Sequence, residues 1–220
     1  GVDLVLGASE KFNLANHLSM LTKGQESKIH SCDIEAVTGF NTSYSVNDRT
    51  RTFLKVQDGC DYSCTFCTIP MARGKSRSDS VDNVVHQVIE LQENGVKEIV
   101  LTGINLGDFG KGADGGKKRE ENFFELIQAL EDKTTIDRYR ISSIEPNLLT
   151  DEMIQWVSKS KRFMPHFHIP LQSGSDTVLK LMQRRYNTDL YRSKIELINQ
   201  WIPDAAIGVD VIVGSPGETD

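Results

Sequence analysis

TFLKVQDGCDYSCTFCTIP, residues Thr52–Pro70, decides how this chain is read. Its first part, Thr52–Gln57, reads as a strand, with Thr52, Phe53 and Val56 among the side chains that favour a sheet. Gly59 then opens a loop in which Cys60, Cys64 and Cys67 fall within eight positions. A structural metal site of tetrahedral geometry takes four ligands. The stretch supplies three, so the question is what needs three thiolates and one place left open.

Outward from the loop the chain alternates strands and helices. Asp79–Gly95 reads as a helix, with Asp79 or Ser80 as N-cap and Gly95 as its stop. Lys97–Gly103 is a strand that runs into a Gly- and Asp-rich loop at 105–116, and Asn122–Asp132 is a helix. Arg138–Pro146 is a strand with its loop, and Thr150–Ser160 is a helix capped by Thr150. His166–Gly174 is a strand and loop, Asp176–Arg184 and Thr188–Trp201 are helical, and Ala206–Gly214 is a fifth strand. This alternation specifies βαβ units and a parallel sheet. Right-handed crossovers leave a doubly wound sheet or a barrel, and five strands are too few for a closed barrel of about eight. The expected fold is α/β, an incomplete βα barrel with parallel strands. In that architecture chemistry sits at the C-terminal ends of the strands, where the polar and glycine-rich segments all fall.

Before Thr52 the pattern is weaker. Val2–Gly7 reads as a strand and Glu10–Leu21 as a helix, one βα unit too small to fold alone. Residues Thr22–Thr50 are polar and read as an irregular connector. The chain is 220 residues long, 38% apolar and 25% charged, which fits a globular protein rather than a disordered one. No apolar run is long enough to span a bilayer and no signal peptide opens the chain, so we expect no membrane and a cytoplasmic location. A formal net charge of -6 argues against a surface that grips nucleic acid throughout. Three basic runs, Ala72–Arg77, Gly115–Glu120 and Lys159–Arg162, read as solvated faces. Of these, Arg73, Lys75 and Arg77 leave the cysteine loop where phosphate can be met.

Two chemistries suit the three cysteines. Zinc needs further ligands, and only Cys32, distant in sequence, or the alternating His166 and His168 offer them. A [4Fe-4S] cubane takes four thiolates as a rule. Held by three, it keeps one iron for a chelating ligand such as the amino and carboxylate groups of S-adenosylmethionine.

VQDGCDYSCTFCTIPMARGKSRS, LTGINLGDFG, RISSIEP, HIPLQSGS with LKLMQRRY, and GVDVIVGSPGET occur in this order. In these segments the chain resembles the radical S-adenosylmethionine enzymes, and among them the methylthiotransferases. ARGKSRS and SSIEP are most similar to the branch that acts on N6-threonylcarbamoyladenosine beside the tRNA anticodon. Branches acting on isopentenyl-type adenosine or on a ribosomal-protein aspartate share the cysteines. The resemblance implies transfer of a methylthio group to C2 of the base. It implies a reducing electron donor, a tRNA partner held weakly by this span, and a monomer. It also divides the chain into the end of an N-terminal domain (1–23), a connector (24–50) and a partial barrel (51–220) truncated at its C-terminus. A second [4Fe-4S] cluster is expected only in a longer protein carrying the rest of that N-terminal domain, and the C-terminal RNA-binding domain is expected to lie outside this span.

By the same resemblance Cys60, Cys64 and Cys67 hold the cluster. Phe66, Thr68 and Ile69 back the adenine, although Phe66 and Ile69 serve equally as core. Gly103 lets backbone approach the methionine end. Ser142, Ser143 and Glu145 meet the ammonium or ribose, although Glu145 before Pro146 serves equally as a cap. Gln172 and Ser173 lie where the fourth strand leaves the sheet, and Arg184 pairs with the methionine carboxylate. Val213, Gly214 and Glu218 frame the last loop, with Gly214 against the adenine. Arg185 is expected to be a solvated charge and Asp210 a buried, partnered one. No catalytic residue is assigned.

Overall fold

In a computed structural model of the chain, residues 1–22, 26–45, 51–116 and 118–219 are described. Parts of the connector, at 23–25 and 46–50, and Lys117 in the second basic run lie outside them.

The chain opens with β1 (Leu4–Leu6), α1 (Leu14–Ser19), β2 (Lys28–His30) and β3 (Ser43–Tyr44). Then come β4 (Thr52–Lys55), β5 (Gln57–Asp58), α2 (Ile69–Arg73), β6 (Arg77–Ser78) and α3 (Val81–Glu93). They are followed by β7 (Glu98–Thr102), α4 (Phe123–Lys133), β8 (Arg138–Ile141) and α5 (Asp151–Val157). β9 (His166–His168), α6 (Asp176–Leu181), α7 (Thr188–Trp201) and β10 (Ala206–Gly208) complete it.

Strands β4, β7 and β8 run parallel in that order, and β10 lies parallel to β9. Parallel bridges from Tyr139 to Phe163 and from Ser143 to His168 join the β8 region to the β9 region. The five strands expected from the sequence are therefore present and parallel. They are shorter than expected, because the chain bends off the ladder into rim loops. β3 adds antiparallel to the outer edge of β4, and no closed barrel forms among the described residues.

The connector is less irregular than its composition suggested. β2 pairs in parallel with β1, Leu4 beside Lys28, and β3 pairs with β4. Strands of two or three residues carry too few positions for alternation to show.

Helices cover the sheet with one apolar stripe each. In α3, Val81, Val84, Val85, Val88 and Leu91 are buried at the spacing that keeps one face together. α4 does the same with Phe123, Leu126, Ile127 and Leu130. These meet Leu54, Val56, Ile99, Leu101, Tyr139, Ile141 and Phe167 from the strands in one core. Each such side chain contributes roughly 1.5–3 kcal/mol on burial. The helix starts are built locally. Ser80, Asn122, Thr150, Ser175 and Asn187 each accept a backbone N–H of the first turn, and Asn122 forms a capping box with Glu125. Each cap is worth about 1 kcal/mol. At the end of α3, Gly95 takes φ +83°, a left-handed stop that glycine adopts without strain. The core thus fixes the strands, and their C-terminal ends define a rim.

Candidate functional site

The cysteine loop leaves the rim at β4 and returns through a clamp. β5 and β6 pair antiparallel, Gln57 opposite Ser78 and Asp58 opposite Arg77, so the two ends of the loop are held side by side. Gly59 has φ +69°, and a Cβ there would stand 2.0 Å from the Lys75 carbonyl oxygen, so only glycine fits. Cys60 N–H donates to the Gly74 carbonyl across the same gap (3.1 Å).

Two buried polar side chains brace this base. Asp58 accepts from Gly59 N–H (2.9 Å), Arg73 (3.1 Å) and Arg77 (3.3 Å). Burial works against its charge, but these donors outweigh it and hold the carboxyl below its ordinary value. Gln57 donates through Nε2 to the carbonyls of Asp58 (3.0 Å) and Gly59 (2.8 Å) and to Ser76 Oγ (3.0 Å). Its Oε1 accepts from the N–H groups of Ile104 (2.8 Å) and Asn105 (3.0 Å) in the loop after β7. One amide therefore ties the cysteine loop to the next rim segment.

The outer half of the loop rests on the segment after α6. Thr65 N–H donates to the Met182 carbonyl (3.3 Å). Arg185 lies over the Tyr62 ring at 4.0 Å and donates to the Asp61 carbonyl (2.9 Å). Tyr62 Oη in turn accepts from Asn147 (2.8 Å). Arg184 reaches inward. It donates to Cys64 Sγ (3.0 Å) and to Glu145, and it lies beside Tyr186 and the Phe66 ring.

Burial dominates the electrostatics here. It pushes the Cys60 thiol up to about 11, and it raises Cys64 although Arg184 pulls the other way. It also lifts the Glu145 carboxyl from its ordinary range, with Arg184 offsetting part of this. For Arg184, burial opposes the charge, but the Glu145 carboxylate beside it holds the guanidinium above its ordinary value. All three clustered cysteines are free thiols, and so is Cys32, which is exposed.

Cys64, Phe66, Glu145 and Arg184 are thus in one connected group. Gly103, Ser142, Ser143 and Gln172 lie at the C-terminal ends of β7, β8 and the β9 region. Gly103 is crowded by Gln57 and Leu106, with a Cβ there 2.9–3.0 Å from both side chains. Gln172 takes φ +65°, unusual for a residue with a side chain, and pairs through its backbone with Asp210 and Ile212. Thr68 caps α2 without a side-chain bond, and Ile69 opens that helix. In the last loop Val213 is exposed, and Gly214 at φ +78° donates to the Glu218 carboxylate (2.6 Å).

Three expectations are corrected. Arg77 is buried and held through its two terminal nitrogens by Asp58 and the Arg73 and Lys75 carbonyls, with Nε left unpartnered, so it is a brace rather than a phosphate contact. Arg185 is exposed, as a solvated charge is, but it is not free of partners: it lies over the Tyr62 ring. Asp210 is partnered, with His168 at 3.1 Å, but exposed rather than buried. Gln57, Tyr62, Asn105 and Tyr186 were missed because partners of theirs lie in other segments, and Asp58 because its arginines stand at the far end of the cysteine loop.

The donor set fits a cluster with a polar chelating ligand. Among the described residues no three His, Cys, Asp or Glu side chains converge on a single ion. A zinc centre needs that convergence at about 2.0–2.3 Å, whereas a cubane gives each thiolate its own iron. Around Glu145 three buried polar atoms have no partner: Asn105 Nδ2, Ser142 Oγ and Asn147 Oδ1. Buried groups of this kind are seldom left unpaired, and a ligand with ammonium, carboxylate and hydroxyl groups offers what they lack. A cavity of about 500 Å³ opens beside the loop, lined by Cys60, Tyr62, Lys75, Gly116 and Ile34. Of the expected site residues only Cys60 touches it, so we place the site on the rim and not there.

Comparison with known proteins agrees with this geometry. The pattern of the radical SAM superfamily matches residues 54–220. The threonylcarbamoyladenosine tRNA methylthiotransferase MtaB of Bacillus subtilis (strain 168) is 36% identical over 232 residues, covering 100% of this chain and 48% of that protein. The tRNA-2-methylthio-N(6)-dimethylallyladenosine synthase of Orientia tsutsugamushi (strain Ikeda) is 33% identical over 221 residues, covering 100% of this chain and 49% of that protein. The chain thus spans about half the length of the curated relatives it matches. Among solved structures, the radical S-adenosylmethionine methyltransferase TsrM from Kitasatospora setae, with cobalamin and a [4Fe-4S] cluster bound, superposes with a TM-score of 0.59. That match covers 76% of this chain and 32% of that one at 14% identity, and it speaks for the fold alone. Three unpaired cysteines on a clamped rim loop, a parallel open barrel and a superfamily match over most of the sequence lead to one conclusion: the chain belongs to the radical SAM superfamily.

Proposed function

We propose that this chain is the central part of a tRNA methylthiotransferase that adds a methylthio group to C2 of N6-threonylcarbamoyladenosine beside the anticodon. The observation that carries the reading is the chain Glu145–Arg184–Cys64, which sets a buried ion pair against a cluster cysteine on the catalytic rim. Likeness to the B. subtilis enzyme over the whole chain supports the substrate.

A [4Fe-4S] cluster held by Cys60, Cys64 and Cys67 supplies, when bound, the electron that cleaves the sulfonium bond of S-adenosylmethionine. The protein's part is placement. Asp58 and the β5–β6 clamp fix where the loop begins and ends. Arg184 offers a charged fork for a carboxylate, and Glu145 an acceptor for an ammonium. Gln57 keeps the Gly103–Asn105 backbone against the loop. Burial keeps the Cys60 and Cys64 thiols neutral, so metal uptake must release their protons.

For the RNA, Lys75 is the cation of the ARGKSR run left exposed, since Arg73 and Arg77 pair with Asp58. Contact with phosphate through one or two lysines gives weak binding. The sulfur to be transferred and its second cluster belong, in this reading, to parts of a longer protein, and we propose the division 1–23, 24–50 and 51–220 for the span described here. No described helix is long and apolar enough to cross a membrane, which agrees with work on tRNA in the cytoplasm.

The likeness to the dimethylallyladenosine synthase of O. tsutsugamushi keeps one alternative substrate in play. Nucleoside analysis of tRNA from a strain lacking the gene decides between them. The proposal expects loss of the 2-methylthio form of threonylcarbamoyladenosine. Loss of the dimethylallyl derivative instead reassigns the substrate, and loss of neither overturns the function.

A further inference from the structure

A half-buried lysine on the concave face of the sheet carries a charge that its surroundings answer only in part. In β4 Leu54 belongs to the core, so its neighbour Lys55 points the opposite way, beside Thr102 at the end of β7. The Lys55 side chain is 17% exposed, and its Nζ lies 5.1 Å from the Phe40 ring and 5.8 Å from the Phe12 ring. Among the described residues its one ion pair is with Asp58, at 3.8 Å, too long for a hydrogen bond. Asp58 also pairs with Arg73 and Arg77, so one negative charge serves three positive ones. Burial holds the ammonium below the ordinary lysine value; Asp58 opposes this, and Lys11, Arg73 and Arg77 add to it. A cavity of about 170 Å³ opens here, between the base of the cysteine loop and the end of β7. Lys55, Asp58, Arg73, Thr102 and Gly103 help to line it.

A charge drawn this far from water is costly unless an opposite charge meets it. Packing between two rings needs no charge, since an apolar side chain of the same length would fill the space. What the ammonium adds is a point charge facing a cavity with a surplus of positive groups, which suits a small anion. In the reading above Arg184 already answers the carboxylate of S-adenosylmethionine. The substrate brings a second carboxylate, at the end of the threonyl group. N6 and C2 flank N1 on one edge of the base, so a base that presents C2 to the rim carries this carboxylate along the rim as well. A dimethylallyl group on the same nitrogen is uncharged. We propose that Lys55 is a specificity-determining residue whose ammonium pairs with the carboxylate of the threonylcarbamoyl group in the cavity between β4 and β7, with Arg73 as the second cation. This rests on the proposed function in taking that nucleoside as the substrate.

The test uses the full-length protein that carries this span, reconstituted anaerobically with iron and sulfide, as wild type, Lys55→Met and Lys55→Arg. Two anticodon stem-loop RNAs are compared by kcat/KM, one bearing N6-threonylcarbamoyladenosine and one bearing its carboxylate methyl ester. The Kd for S-adenosylmethionine is measured alongside. Wild type should prefer the acid. Lys55→Met should lose about tenfold to a hundredfold on the acid, mainly through KM, and little on the ester, so that the preference disappears. Lys55→Arg should keep the preference, and the Kd for S-adenosylmethionine should stay as in wild type. A lysine that only packs between Phe12 and Phe40 would change acid and ester alike, so an unchanged preference in Lys55→Met overturns the proposal. A raised Kd for S-adenosylmethionine with the preference intact overturns it too, because the cation then meets the cofactor. Should Lys55→Met fail to fold, Lys55→Gln carries the same comparison. A wild type that acts on neither RNA, and instead on a dimethylallyladenosine stem-loop or on no RNA, overturns the proposed function together with this role. A wild type that prefers the acid whatever stands at position 55 overturns this role alone.

Discussion

Arg184 serves two partners at once: it donates to Cys64 Sγ and pairs with Glu145. Its side chain is 3% exposed and that of Glu145 13%. Breaking such a pair strands a charge in the interior, which costs about 3–5 kcal/mol. Arg184→Gln is therefore expected to destabilise the chain by an amount of that order in urea unfolding, and Arg184→Gln with Glu145→Gln by clearly less. A single substitution costing under about 1 kcal/mol would show that the pair is solvated and loosely held. At this scale the sequence was partly legible. Cys60, Cys64 and Cys67 announce themselves because their partners are one another, a few positions away. Gln57 and Asn105 do not, because what makes them matter is a bond across 48 residues of chain. Arg77 and Arg185 were misread for the same reason. An arginine in sequence is a charge, and only the fold shows the carboxylate or ring it lies on.

Among the elements, β8 joins core to rim. Tyr139, fully buried, stacks on Phe163 at 4.9 Å and shares a hydrogen bond with Thr134 (2.5 Å). Burial pushes its phenol well above the ordinary tyrosine value, more than the Thr134 contact draws it back. A raised folded value means that the stability it contributes is complete below about pH 10 and is lost as pH rises from there toward the folded value. Tyr139→Phe keeps the ring and gives up one hydrogen bond, costing about 0.5–1.5 kcal/mol at neutral pH. The wild-type advantage in urea unfolding should shrink as pH climbs above about 10. An advantage that stays constant to pH 12 would contradict this. The longer helices were legible to within a few residues, Thr188–Trp201 matching α7 end to end, because cap and stripe are both local signals, whereas α5 and α6 stop at Val157 and Leu181, short of the expected ends, and the short α2 was not foreseen. The short strands β2 and β3 were not, since their existence depends on an edge offered by another segment.

For the whole molecule, charge and architecture point in different directions. Net charge is -6, yet the proposed substrate is an anion. With Arg73 and Arg77 engaged by Asp58 and Arg119 by Asp108, few cations among the described residues remain near the loop for phosphate. Binding of tRNA by this span should be weak and should fall with salt at a slope of about one or two phosphate contacts. A steep slope, or none, would contradict that placement. The open barrel itself was read correctly from the count of alternating strands, and its rim gathers the cysteine loop, Glu145 and Arg184. What the rim is for rests on iron. Anaerobic reconstitution with iron and sulfide, followed by iron analysis and absorption spectroscopy, tests this most directly. Wild type should bind about four irons per chain with a band near about 400 nm, and replacing Cys60, Cys64 or Cys67 with alanine should abolish both. Iron content and spectrum that are indifferent to those three cysteines would contradict the cluster, and with it the chemistry assigned to the rim.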